Sequence, residues 1–91
     1  MVKNIYYGDN FIKRFNKLPL EIKRLADNKV EIFKNNPLHP SLRLHMLKGR
    51  FAGAWSISLS KNYRIIFERK KNGDILFLSV GSHDIYKYLW M

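Results

Sequence analysis

Two runs of strand-forming residues, 63–67 (Tyr-Arg-Ile-Ile-Phe) and 75–80 (Ile-Leu-Phe-Leu-Ser-Val), flank a polar stretch that contains Asn72-Gly73. Asn-Gly is a strong short-range hairpin signal, because both residues tolerate the left-handed backbone of a tight turn. The pattern predicts a β-hairpin. Residues 75–80 are apolar at nearly every position, as in a strand covered on both faces. Such a strand needs a neighbour on either side and a packed layer, and the rest of a short chain must supply them.

The remaining pattern supplies both. Ile5-Tyr6-Tyr7 is a short β-prone run stopped by Gly8. Asp9 can cap the segment that follows, in which Phe11, Ile12, Phe15 and Leu18 recur at helical spacing. Pro19 ends that helix and suits the first turn of another. Over residues 19–35, Ile22, Leu25, Ala26, Val30, Ile32 and Phe33 form an apolar stripe, with Lys23, Arg24, Lys29 and Lys34 expected to face away. Residues 37–42 hold two prolines and read as a loop, and residues 44–48 are a weaker strand candidate. Trp55, Ile57 and Leu59 then alternate with Ser56, Ser58 and Ser60, predicting a strand with one buried face. The expected order is β-α-α followed by three or four antiparallel strands. This is an α+β domain with a helical hairpin on one face of the sheet. Arg64 and the serines are expected on the opposite face.

At 91 residues, 46% of them apolar, the chain is long enough for one small domain with a modest core. Thirteen aromatic residues make that core efficient, and the absence of cysteine excludes disulfides and thiolate metal sites. No apolar run approaches the length of a membrane span, and no signal core opens the chain, so a cytoplasmic protein without a membrane role is expected. Seventeen Lys and Arg against seven Asp and Glu give a net charge of +10, which favours a polyanionic partner. Residues 1–36 hold eight basic and four acidic residues, and residues 37–91 hold nine and three. The more biased half also carries the candidate chemistry.

Metal-free RNA cleavage needs a base for the 2′-hydroxyl proton, an acid for the leaving 5′-oxygen and positive charge around the phosphate. His83 ends the last predicted strand after Gly81-Ser82, and Asp84 could orient its imidazole or cap a final helical turn. Arg64 interrupts an apolar strand, where a permanent cation must pair or face solvent. His45 lies in a basic stretch with Arg43, Lys48 and Arg50, and Lys61 sits in the turn before Arg64. Tyr86, Tyr88 and Trp90 could stack a splayed base, or could simply pack on the sheet. No helix-spaced ligand pair points to a metal, and no cofactor is expected.

Residues 37–45 (Pro-Leu-His-Pro-Ser-Leu-Arg-Leu-His), Leu47-Lys48-Gly49, Gly53-Ala54-Trp55-Ser56, residues 63–67 and residues 81–86 (Gly-Ser-His-Asp-Ile-Tyr) together resemble the RelE/ParE superfamily of type II toxin–antitoxin toxins, in particular its RelE-type plasmid stabilisation branch. The resemblance covers nearly the whole chain and implies a β-α-α-β-β-β microbial RNase fold over residues 1–91. It also implies a ribosome-dependent mRNA endoribonuclease, held inactive by a cognate acidic antitoxin. On the matching positions, Arg64 is the strand arginine at the scissile phosphate and His83 is a proton-transfer residue. His45 is a second histidine of the branch, and Tyr86 is the C-terminal aromatic. Lys48 and Arg50 fall among the basic residues, and Arg43, Lys61 and Tyr88 join them as RNA-binding candidates. The chain departs from the branch at Ser58 and Asn62, where a histidine and an aspartate are common. ParE-type members share the fold but inhibit DNA gyrase, so a non-nuclease toxin and an inactive antitoxin-binding module are the alternatives.

Overall fold

The computed structural model describes residues 2–82. Strand β1 (Ile5–Tyr7) leads into helix α1 (Asp9–Asn16) and helix α2 (Leu20–Asn35). A short 3-10 turn, Pro40–Leu42, connects to β2 (His45–Met46). After a second 3-10 turn, Gly49–Phe51, the chain forms β3 (Ala54–Ser58), β4 (Arg64–Arg69) and β5 (Ile75–Gly81). Among the described residues, no helix is long and apolar enough to cross a membrane.

The strands form one sheet in the order β1-β5-β4-β3-β2. The α+β class and the helical hairpin are as the sequence predicts. The sheet is mixed rather than wholly antiparallel, because β1 pairs parallel to β5 while the other neighbours are antiparallel. The intervening helical hairpin carries the chain back across the sheet, which permits a parallel partner. β5 lies between β1 and β4, in agreement with its apolar sequence.

Helix α1 begins one residue away from the expected cap. Gly8 occupies the cap position, without a side-chain hydrogen bond, and Asp9 lies in the first turn, where its charge favours the helix dipole. Gly8 is required by space. Its N–H donates to the Phe77 carbonyl at 2.9 Å, and a Cβ at this position would stand 3.0 Å from that oxygen. The chain thereby passes from strand to helix while pressed against β5.

The main core lies between helices and sheet and includes Phe11, Ala26, Phe33, Ile57, Ile65, Phe67, Phe77 and Val80. Phe77 is at its centre. Its ring stacks on Phe11 at 5.2 Å and meets Tyr7 edge-on at 5.6 Å. Phe33 and Phe67 lie 6.1 and 6.3 Å from it. A register shift between Ile66 and Phe67 places Ile66 opposite Ser79 and Phe67 opposite Phe77. Leu78 is the extra residue of this bulge. It allows Phe77 and Val80, three residues apart, both to enter the core.

The distal face of the sheet differs from the expectation of a wet serine face. Ser56 and Ser79 are 0% and 1% exposed, and Ile66 and Ala54 form a second small cluster with Leu47 and Leu78. Cross-strand pairing explains this, because Ser56 stands opposite Ile66, and Ile66 opposite Ser79. Small serines let the neighbouring apolar side chains close over them.

The β4–β5 turn is tied to β1. Gly73 adopts φ +93° there, and its N–H donates to the Lys70 carbonyl at 3.0 Å. The Asp74 carboxylate accepts from Asn72 at 3.0 Å and from Asn4 at 3.1 Å. Phe77→Ala should cost about 3–5 kcal/mol in chemical denaturation, because it empties the centre of the aromatic cluster. Gly8→Ala should also destabilise, by about 1–3 kcal/mol, since the new Cβ can be relieved only by moving backbone.

Candidate active site

Arg64 opens β4. It pairs with Ser58 of β3 on one side and Gly81 of β5 on the other. Directly opposed residues share a sheet face, and Arg64 precedes the core residue Ile65 in the alternation of the strand, so its side chain leaves on the face away from the helices. The residue is half-buried. Its Nε is buried without a hydrogen-bond partner among the described residues. An unsatisfied buried N–H costs about 1–3 kcal/mol, and an acceptor supplied by a ligand would recover that cost.

Arg64 lines a cleft of about 640 Å3 together with Lys29, Ser41, Arg43, His45, Ser58, Leu59, Ser60 and Lys61. The cleft sits where β3 ends and β4 begins. Among the described residues that line it, four are cations and none is a carboxylate. Among the described residues, none of Lys29, Arg43, Lys61 and Arg64 forms an ion pair. Gathering cations without counter-charge is unfavourable in the free protein and favours an anion.

His45 stands opposite Ser56 on the edge strand β2 and is exposed. Its Nδ1 lies 3.1 Å from the Arg43 carbonyl oxygen. A carbonyl oxygen only accepts, so Nδ1 carries a proton in this contact, and in the neutral ring the lone pair is on Nε2. Arg43 contributes through its backbone as well as its charge. Its φ of 47° and ψ of 47° make it the one non-glycine residue with positive φ among the described residues. Its N–H donates to the Pro40 carbonyl at 3.2 Å, closing the 3-10 turn immediately before β2.

The structure brings together Arg64, His45, Arg43 and Lys61 of the predicted site residues. It separates Lys48 and Arg50 from them. These two lie in the β2–β3 connection, beyond the Ala54 end of β3, whereas Arg64 pairs at the Ser58 end. The two ends are about 13 Å apart at the usual rise of a strand. Arg50 instead lies over the Phe51 ring at 5.7 Å. His83, Tyr86 and Tyr88 lie outside the described residues. Asn62, in the loop before β4, is exposed and donates its backbone N–H to Ser60 Oγ at 3.3 Å.

Lys29 is the cleft residue that sequence reasoning missed. It was expected to face away from the sheet. It is half-buried instead, and its Nζ donates to the Ser41 carbonyl at 3.5 Å. Its position three residues after the buried Ala26 was the available signal, since residues so spaced share a helix face.

No family model and no curated protein matches the chain. Solved structures do. The chain is similar to RelE in the RelB–RelE antitoxin–toxin complex from Methanococcus jannaschii, with 25% identity and a TM-score of 0.73, over 91% of this chain and 96% of that one. It is similar to YafQ from Escherichia coli, with 19% identity and a TM-score of 0.72, over 92% and 97%. It is also similar to a YoeB/ParE toxin from Agrobacterium tumefaciens, with 14% identity and a TM-score of 0.72, over 89% and 99%.

Replacing Arg43 by glycine should leave stability within about 1 kcal/mol of the parent, because relief of the left-handed strain offsets the added freedom of the unfolded chain. Equilibrium unfolding in urea checks this. The same variant should bind a single-stranded oligonucleotide more weakly. The chain carries the fold of the RelE/ParE superfamily, the toxins of type II toxin–antitoxin systems.

Proposed function

We propose that this protein is the toxin of a type II toxin–antitoxin module and that it cleaves mRNA on the ribosome by acid–base catalysis. The observation that carries the reading is a cleft that gathers Arg64 and His45 with Lys29, Arg43 and Lys61 and, among the described residues, has no carboxylate in its lining. Binding alone requires a cationic surface but no histidine held in one tautomer.

In this reading the RNA phosphate enters the cleft and accepts from Arg64. His45 Nε2 takes the proton of the adjacent 2′-hydroxyl as that oxygen attacks phosphorus. Charge builds on the phosphate oxygens, where Arg64, Lys29 and Lys61 stabilise it. The bond to the 5′-oxygen breaks, and an acid protonates the leaving oxygen. His83 is the proposed acid. The products are a 2′,3′-cyclic phosphate and a free 5′-hydroxyl. Ser58, opposite Arg64, is neither a strong acid nor a strong base, so its part is limited to hydrogen bonding.

The partners in this reading are mRNA, the ribosome and a small acidic antitoxin that covers the cationic cleft in the cytoplasm. RelE of M. jannaschii and of Pyrococcus horikoshii, both similar in fold, were solved with RelB, which supports an antitoxin partner. Arg43 and Lys61 serve as phosphate contacts. Lys48 and Arg50, at the other end of β3, are better suited to ribosomal RNA than to the scissile phosphate.

Induction in a bacterial host, followed by primer extension on a reporter mRNA with and without ribosomes, tests the proposal. Cuts that need ribosomes are expected. Arg64→Ala and His45→Ala should each lower the cleavage rate by roughly 100- to 10,000-fold. A DNA-damage response with intact mRNA would instead identify a gyrase-directed toxin.

A further inference from the structure

A second cationic cleft lies at the same end of the sheet. It has a volume of about 450 Å3 and is lined by Asn10, Lys13, Arg14 and Lys17 from the α1 region, by Tyr63, and by Val80, Gly81 and Ser82. Lys13 and Lys17 are exposed and stand four residues apart, on one side of the helix. Like charges at that spacing repel. Cations near a helix C-terminus are favoured by the helix dipole, but the dipole does not explain why they converge on the end of a neighbouring strand. Arg14 helps to join the two, since its Nε donates to the Val80 carbonyl at 3.3 Å.

The two clefts share no lining residue but meet at the same end of β4. Tyr63 lines the second, and its chain neighbour Arg64 lines the first. Gly81, in the second, is the cross-strand partner of Arg64. Cations therefore stand on both sides of the Arg64–Gly81 rung, Lys13 and Lys17 on the α1 side and Lys29, Arg43 and Lys61 in the first cleft. Among the described residues, no carboxylate lines either cleft.

We propose that the second cleft is a subsite for single-stranded RNA, holding the phosphodiester backbone of nucleotides that flank the bond at Arg64 on one side. The inference rests on the RNA-cleaving reading of the first cleft. An extended polyanion suits a track of successive cations better than an acidic globular surface does, because each phosphate can meet a separate side chain. Tyr63, half-buried at the junction, offers a ring beside the path. The subsite makes affinity depend on oligonucleotide length, since a short RNA fills only the Arg64 cleft.

The test uses the full chain and non-cleavable 2′-O-methyl oligonucleotides, with binding followed by fluorescence anisotropy across a salt series. The variants are Lys13→Ala/Lys17→Ala, Arg64→Ala, and a control, Lys3→Ala/Lys71→Ala, whose exposed lysines lie at the opposite end of the sheet. All three carry intact core residues, and circular dichroism verifies their fold. For a decamer, Lys13→Ala/Lys17→Ala should weaken binding and reduce the slope of log affinity against log salt by about 1.4, the value for two lost phosphate contacts on a single strand. The control pair should change the slope by less than half as much. A dinucleotide should bind that variant as it binds the parent. If Arg64→Ala weakens decamer binding while Lys13→Ala/Lys17→Ala matches the control, the subsite is overturned and the Arg64 site stands. If neither weakens it, both readings fall. If Lys13→Ala/Lys17→Ala affects binding of polyglutamate but not of the decamer, the cleft faces an acidic protein and the proposal is wrong.

Discussion

The packing of Phe77 against Phe11 and Tyr7 is the interaction on which the rest of the molecule depends. It fastens the first helix and the first strand to the inner strand β5. Phe33 and Phe67 extend the cluster to α2 and β4. In a domain this small the buried area is limited, and aromatic pairs add about 0.5–1.5 kcal/mol each beyond their area. The same ring sets register. With Phe77 held in the core, the Leu78 bulge allows Val80 to point the same way, and Gly81 then comes to lie beside Arg64. The position of Arg64 is thus a consequence of aromatic packing three rungs away.

A stable interior permits an electrostatically unfavourable exterior. Among the described residues, Lys29, Arg43, Lys61 and Arg64 converge without carboxylates, Arg64 keeps a buried Nε without a partner, and Arg43 holds a left-handed backbone. Each feature costs stability in the free protein. The local rules of folding are broken at the cleft and kept in the core, where Phe77 and its neighbours satisfy them.

Much of the fold is readable from spacing. Phe11, Phe15, Ala26 and Phe33 recur with helical period, Asn72-Gly73 marks the hairpin, and the unbroken apolar run of β5 announces an inner strand. The parallel pairing of β1 is not readable in this way, because a three-residue strand carries no signal of its partner's direction. Ser56 misleads for a related reason. Alternation assigns it to a face, but only the neighbours on that face, Ile66 and Ala54, decide whether it meets water. Lys29 misleads because a long side chain on the margin of an apolar stripe can turn toward either side.

The sequence by itself determined the α+β class, the helical hairpin, the basic character of the chain and the placement of a cation, Arg64, within an apolar strand. These follow from period, composition and chemical type, which are local properties. Only the tertiary structure decided which cations join Arg64. It admitted Lys29 from a helix and Arg43 and His45 from the edge of the sheet, and it sent Lys48 and Arg50 to the far end of β3. The physical reason is that proximity across a sheet is set by register and by the bulge at Leu78, and both depend on how the whole aromatic core closes.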